Sequence, residues 1–241
     1  MTRESAKEWA HLLGEKHLHQ EINGYQVFLK LIADCCPEGG VVADLGCGNE
    51  NFLTFLLQKA GRIIGVDDRA LEGNYQLYLQ ADLERELPLP PAGIDLIASK
   101  FLLEHLNNPA AFFARINTAL CPGGTLVLMT PNIRYYPYTA NYLLSRLLPQ
   151  QKRMTLVGLI TGRAADEIFP VAYACNTPSR LKRILEEAGF EAVQADTYSD
   201  FLISAVNRPL GALAVAYEKL INYLGIKGMK GFIVVQARKG L

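Results

Sequence analysis

Three acids and two glycines stand where this chain could hold a cofactor. Asp44 follows the apolar run Val41-Val42-Ala43, Asp67 follows Ile63-Ile64-Gly65-Val66, and Asp82 follows a third stretch that closes on Ala81. After Asp44 comes Leu45-Gly46-Cys47-Gly48. Residues without a side chain leave bare backbone there, and the turn exposes N–H groups against which a ligand can lie. Carboxylates at the ends of strands accept from hydroxyl and amino groups, which is what a nucleotide-type cofactor offers. One glycine turn is a common feature. Three acids at successive strand ends beside it are far more specific. A second cluster, Leu103-Glu104-His105-Leu106, sets a carboxylate next to an imidazole, whose ordinary pKa suits proton transfer near neutrality.

The elements needed to place these groups are legible in the pattern. Short apolar runs at 41–45, 62–67, 74–81, 94–99 and 125–130 read as strands, and helical segments are expected at 52–60 and from Asn108-Pro109 to about 120. Alternation of this kind predicts a parallel sheet with helices on both faces, its ligand edge at the carboxyl ends of the strands. Residues 8–34 carry apolar positions at spacings of three and four, a helical period. Residues 133–170 are rich in tyrosine, leucine and basic side chains and read as a helical insertion over that edge. Thr177-Pro178 should open a helix that Gly189 stops. Two last strands are expected at 191–198 and 231–237, with an apolar helix at 210–224 between them. The expected architecture is therefore a doubly wound, mostly parallel seven-stranded α/β sheet with a helical lid. Its parts are an N-terminal helical segment (1–36), a cofactor-binding half (37–132), the lid insertion (133–170) and the C-terminal part of the core (171–241).

Bulk composition narrows the classes. Half of the 241 residues are apolar and a fifth are charged, and Lys+Arg balance Asp+Glu at 24 each. That is globular composition without the global basic field of a nucleic-acid binder, so no nucleic-acid partner is expected. Five cysteines without framework spacing fit a reduced, cytoplasmic protein. The first residues lack the apolar core of a signal peptide, and no apolar run reaches the roughly 20 residues of a membrane span. The apolar helix at 210–224 also allows docking on a membrane surface. His11, His17 and His19 lie close in sequence without zinc-ligand spacing, and no metal is expected.

The ordered set Asp44-Leu45-Gly46-Cys47-Gly48, Gly65-Val66-Asp67, Ala81-Asp82-Leu83, Leu103-Glu104-His105-Leu106, Pro122-Gly123-Gly124 and Thr130-Pro131-Asn132 resembles the class I S-adenosylmethionine-dependent methyltransferases. The likeness is strongest to the small-molecule branch near the ubiquinone-biosynthesis methyltransferases. Asn176-Thr177-Pro178 and Glu187-Ala188-Gly189-Phe190 resemble that branch's later signature, so the likeness runs over about 38–200. The resemblance implies a Rossmann-like methyltransferase fold, S-adenosyl-L-methionine as cofactor and a small-molecule methyl acceptor at O, N or C. It implies that Gly46, Cys47 and Gly48 border the methionine portion and that Asp44 holds its ammonium end. Asp67 or its neighbour Asp68 would meet the ribose, with position favouring Asp67. Asp82 and the Leu83 N–H would meet adenine, and Ser99, Lys100 and Phe101 would border the methionine chain and the transferred methyl. Where the acceptor is a hydroxyl, His105 and Tyr135 are the candidate bases. The chain departs from the family at Glu50, where a third glycine is usual, and Phe101 replaces a ligand of the metal site found in some relatives.

Blander readings stand beside these. Asp44 and Asp82 are also good capping residues, Glu104-His105 can serve a buried turn, and the tyrosines of 135–142 can form the lid's own core. Two other functions compete. A nicotinamide-dependent oxidoreductase would need glycine at the third position of the turn, where Asn51 stands. A catalytically silent protein of the same fold would bind a partner through 133–170.

Overall fold

Apolar runs too short for a helix recur through the chain, and in the computed structural model each becomes a strand of one sheet. The strands are β1 (Val41–Leu45), β2 (Arg62–Asp67), β3 (Leu77–Gln80), β4 (Ile94–Lys100), β5 (Leu120–Pro131), β6 (Phe190–Tyr198) and β7 (Phe232–Lys239). Their order is β3-β2-β1-β4-β5-β7-β6. The pairs from β3 through to β5 are parallel, and β7 runs antiparallel to both β5 and β6. The structure describes residues 24–49, 51–69, 75–149, 170–200 and 208–241, with isolated helical positions between 9 and 17 and between 151 and 158. His11, His19 and Glu50 lie outside the described residues.

Both faces of the sheet are covered, which explains why its central strands read as unbroken apolar runs. Side chains alternate between the faces. Val42, Ile63, Leu96 and Val127 pack with Phe28 and Ile32 of helix α1 (Gly24–Cys35). Ala43, Leu45, Ile64, Val66 and Ile97 pack with Phe112, Phe113 and Ile116 of α2 (Pro109–Ala119) and with Leu181 and Leu185 of α4 (Pro178–Glu187). Between those two helices in sequence lies α3 (Tyr136–Leu147), inside the stretch expected as a lid, and α5 (Arg208–Tyr223) precedes β7. Among the described residues no helix is long and apolar enough to cross a membrane.

The capping signals act as expected. Asn108 Oδ1 accepts from the Ala111 N–H at 3.2 Å with Pro109 next in the chain, and Thr177 Oγ1 accepts from the Arg180 N–H at 3.4 Å with Pro178 in the same place. Replacing Asn108 with Ala should cost about 1 kcal/mol of stability, read as a lower urea midpoint with an unchanged slope.

Two expected elements differ. The helix at 52–60 contracts to one 3₁₀ turn, Thr54–Leu56. Asn51 Oδ1 takes the Leu53 N–H at 2.9 Å, a local bond that competes with helix growth. Residues 121–124, between the expected end of the helix and the expected strand at 125–130, lie inside β5: Ile94 pairs with Leu120, the register then shifts, and Leu96 pairs with Thr125. Gly123 (φ +75°) lets the strand take up the extra residues as a bulge.

Candidate functional site

The strand order reverses direction between β1 and β4, and in open α/β sheets that switch point opens a crevice at the carboxyl ends of the strands. A pocket of about 300 Å³ lies there, lined by Gly46, Cys47, Gly48, Asn49, Phe52 and Lys100. Gly46 and Gly48 both take positive φ, +71° and +56°, the left-handed region that favours glycine. The turn is pinned to the neighbouring strand: the N–H groups of Gly46 and Cys47 donate to the Val66 carbonyl at 2.8 and 3.2 Å.

Asp44 sits beneath this turn, fully buried, in register with Gly65 on β2 and Ala98 on β4. Its Oδ2 accepts from the Tyr75 hydroxyl at 2.7 Å, while its Oδ1 is buried and has no hydrogen-bond partner among the described residues. Burial pushes this carboxyl up to about 7, against the Tyr75 hydrogen bond and the Lys100 charge, which pull it down. A buried acceptor atom left open beside bare backbone is what an ammonium-bearing ligand would complete.

Tyr75 was not signalled by the sequence, because its partner lies 31 positions away. The one clue is Gly65. A Cβ there would lie 2.8 Å from ring atoms of Tyr75, so the strand keeps glycine where the ring must cross it. Gly65→Ala should therefore destabilise the fold by about 1–3 kcal/mol. The double variant with Tyr75→Ala should recover part of that loss in a thermal-melt cycle.

Asp67 and Asp68 are separated clearly. Asp67 is buried, its Oδ2 accepting from the Gly48 N–H at 2.9 Å and its Oδ1 from the Arg69 backbone N–H and Nε, both at 3.2 Å. The Asp68 side chain is 74% exposed and faces the same arginine at 3.9 Å. Arg69 is a second residue that the sequence did not single out. Asp82 caps its own turn, with Oδ1 accepting from the Glu84 N–H at 3.0 Å and Oδ2 beside Arg85 Nε at 3.2 Å, and Leu83 next to it is buried. Ser99 is buried and donates to the Leu45 carbonyl at 2.8 Å, clamping the ends of β1 and β4. The Cys47 thiol is held up near 12 by burial, with Asp44 and Asp67 adding to the effect.

The other motifs converge behind β4 and β5. Glu104 Oε2 accepts from the Thr130 hydroxyl at 3.2 Å, and that hydroxyl accepts from Asn176 Nδ2 at 2.6 Å. All three are buried, and burial raises the Glu104 carboxyl above its usual range. His105 Nδ1 lies 2.5 Å from the Pro170 carbonyl, so the proton belongs on Nδ1 and the lone pair on Nε2, which is 3.9 Å from Glu104 Oε1. Tyr135 is fully buried, donates to the Asp200 carbonyl at 2.8 Å and packs among Tyr136, Tyr138 and Tyr217. It does not line the glycine-turn pocket. Among the described residues no three His, Cys, Asp or Glu side chains gather as a metal site.

Comparison with known proteins bears on the family and the fold. A family model described as a methyltransferase domain matches residues 17–195. A probable S-adenosylmethionine-dependent methyltransferase of Mycolicibacterium smegmatis is 32% identical over 114 residues, 45% of this chain and 44% of the relative. A ubiquinone biosynthesis O-methyltransferase of Aeromonas salmonicida is 30% identical over 143 residues, 53% and 58% of the two chains. The chain thus spans about half the length of these curated relatives. Among solved structures, a Haemonchus contortus phosphoethanolamine N-methyltransferase 2 in complex with S-adenosyl-L-methionine superposes with a TM-score of 0.56 at 14% identity, covering 100% of this chain and 58% of that one. That likeness speaks for the fold. With the family model covering most of its length, this chain belongs to the methyltransferase domain family, and S-adenosylmethionine-dependent methyltransferases are among its relatives.

Proposed function

We propose that this chain moves the methyl group of S-adenosylmethionine to an oxygen, nitrogen or carbon of a small molecule. The observation that carries the reading is Asp44: a fully buried carboxyl whose Oδ1 lacks a partner among the described residues, set beneath a glycine turn that keeps a pocket open. The cofactor supplies an already activated sulfonium methyl. What remains for the protein is to hold nucleophile and methyl in line and to exclude misaligned approaches, an effect capable of large rate gains.

In this reading Asp44 takes the cofactor's ammonium, and Gly46 and Gly48 admit its methionine portion against bare backbone. Asp67 meets the ribose hydroxyls by exchanging its bonds with Arg69 for them, which keeps the Gly48 N–H bond intact. Asp82 and the Leu83 N–H meet adenine at the mouth of β3. Ser99 acts through β1 and β4 as a positioning residue, and Lys100 and Cys47 wall the pocket. Of the two candidate bases, His105 has the better chemistry, because its Nδ1 contact with Pro170 leaves the lone pair on Nε2. Tyr135 would need its bond to Asp200 broken first. The five cysteines are free thiols, which supports a reducing, cytoplasmic setting.

Calorimetric titration with S-adenosylmethionine, S-adenosylhomocysteine and NAD tests the proposal. The two adenosyl sulfur compounds should bind and NAD should not. Binding of NAD alone would sink the reading, and binding of none would leave a catalytically silent member of the fold.

A further inference from the structure

Helix α5 carries apolar residues on both of its sides. One side is buried through Ala214, Glu218 and Ile221, and beside them the Tyr217 ring packs on Tyr135 and Tyr136. The other side faces outward. Leu213 and Leu220 are 55% and 54% exposed and stand seven residues apart, two turns along one row of the helix. Leu224 continues the row four residues on, with Tyr223 beside it at 88% exposure and Ile226 just after. Single apolar residues on a surface are ordinary, but a contiguous row marks a site that something covers. Helix α4 shows the ordinary alternative: its outward residues include Lys182, Arg183, Glu186 and Glu187, joined as Lys182–Glu186 and Arg183–Glu187 pairs.

Charge and size narrow what covers the row. From 208 to 230 the chain holds four basic residues and one acid, Glu218, and that acid is fully buried. The charges this stretch exposes are therefore cationic, among them Lys219 on the helix and Lys227 in the 3₁₀ turn Lys227–Met229. A second copy meeting this face about a two-fold axis would bring like charges together. A helix of 16 residues also offers a strip of only about 24 Å by 10 Å, well below the roughly 800 Å² per partner of a stable dimer. A lipid surface needs neither matched shape nor large area. The leucine row sinks to the acyl boundary, the tyrosine sits at headgroup level, and the lysines meet anionic headgroups. The face is mounted at the ligand edge of the sheet. Asn132, directly after β5, donates through Nδ2 to the Gly228 and Lys230 carbonyls at 2.9 and 2.8 Å, and the Tyr217 hydroxyl donates to the Met229 carbonyl at 2.8 Å.

We propose that the outward face of α5 docks on a membrane surface that contains anionic lipid. Docking is independent of the methyltransferase reading, which the calorimetric titration tests separately. The full chain is sedimented with sucrose-loaded vesicles of phosphatidylcholine alone, or of phosphatidylcholine with about 30% phosphatidylserine. It should partition onto the phosphatidylserine vesicles about tenfold or more strongly, and about 0.5 M salt should remove that difference. Leu213→Gln combined with Leu220→Gln should weaken partitioning about tenfold or more. Lys219→Gln combined with Lys227→Gln should erase the preference for phosphatidylserine. Leu143→Gln combined with Leu147→Gln, at exposed leucines of α3, should change partitioning by no more than about twofold. Parent protein that binds neither vesicle, or both equally, overturns the proposal, and so does an α5 leucine variant that binds like the parent. Loss of binding in the α3 variant overturns it by moving the site to that helix. A dimer in analytical ultracentrifugation that the α5 leucine variant dissociates overturns it too, because the face then joins two copies of the chain.

Discussion

Replacing Asp44 with Asn should weaken S-adenosylhomocysteine binding by about a hundredfold or more, while the folded protein becomes more stable at neutral pH than the parent. Both effects come from one buried carboxyl. In the folded chain burial holds it protonated up to about pH 7, whereas in the unfolded chain it ionises at the ordinary 3.8. Below about pH 4 both forms carry the proton and the group costs nothing. As pH rises towards 7 the unfolded chain gains by ionising and the folded chain does not, so stability falls across that window, by about 4 kcal/mol in all. Asparagine keeps an oxygen for the Tyr75 hydroxyl and has no charge to desolvate, so the slope should vanish. Ligand binding runs the other way. An ammonium prefers the ionised carboxylate, so the parent's affinity should rise about tenfold per pH unit up to about 7 and then level off. Urea titrations at pH 5 and 8, paired with calorimetry at the same values, read both slopes. A variant that binds as tightly as the parent would remove Asp44 from the site.

Asp67→Ala should be the second severe lesion. The carboxylate accepts from the Gly48 N–H and from Arg69, so its loss strips the turn of an acceptor and takes one partner from the Arg69 side chain in the same step. A buried N–H left without a partner costs about 1–3 kcal/mol of stability. Losing the ribose contacts as well should reduce S-adenosylhomocysteine affinity by about two orders of magnitude. Asp68→Ala is the matched control, because that side chain is largely exposed; it should leave both quantities within about twofold of the parent. Asp67→Asn keeps an acceptor for Gly48 but no charge for Arg69, and should fall between them. If affinity tracks Asp68 instead, the ribose assignment passes to that residue.

How far the sequence could be read depends on where the determining contacts lie. The strands and the sheet's ligand edge follow from local patterns, apolar runs and glycine turns, and β1, β2 and β4 lie within a residue of their expected bounds. Helix starts at Asn108 and Thr177 were equally legible, since a cap and its proline are adjacent in the chain. The failures are of two kinds. The segment after the glycine turn has helical composition, but Asn51 diverts its first N–H and the helix shrinks to a single turn. The partner of Asp44 was invisible for a different reason. Tyr75, 31 positions away, reaches Asp44 only because its ring crosses β2 at Gly65, and nothing in its neighbours announces it, whereas Arg69 meets Asp67 from two positions along the same chain segment. The motif pieces Glu104, Thr130 and Asn176 were each recognisable, but their meeting in one buried hydrogen-bonded chain is a property of the fold.

The position of β7 governs the order in which the molecule can be assembled. It comes after β6 in the chain and yet lies between β5 and β6 in the sheet. On the ribosome, β6 therefore emerges with no strand to pair with, and β5 keeps an open edge until residues 232–239 arrive. Both halves of the sheet wait for one late, long-range insertion, so the nascent chain carries its greatest risk of edge-to-edge association just before synthesis of that segment is complete. A chain stopped short of residue 232 should be recovered as aggregate or held by chaperones, even though every residue of the glycine-turn pocket has already been made.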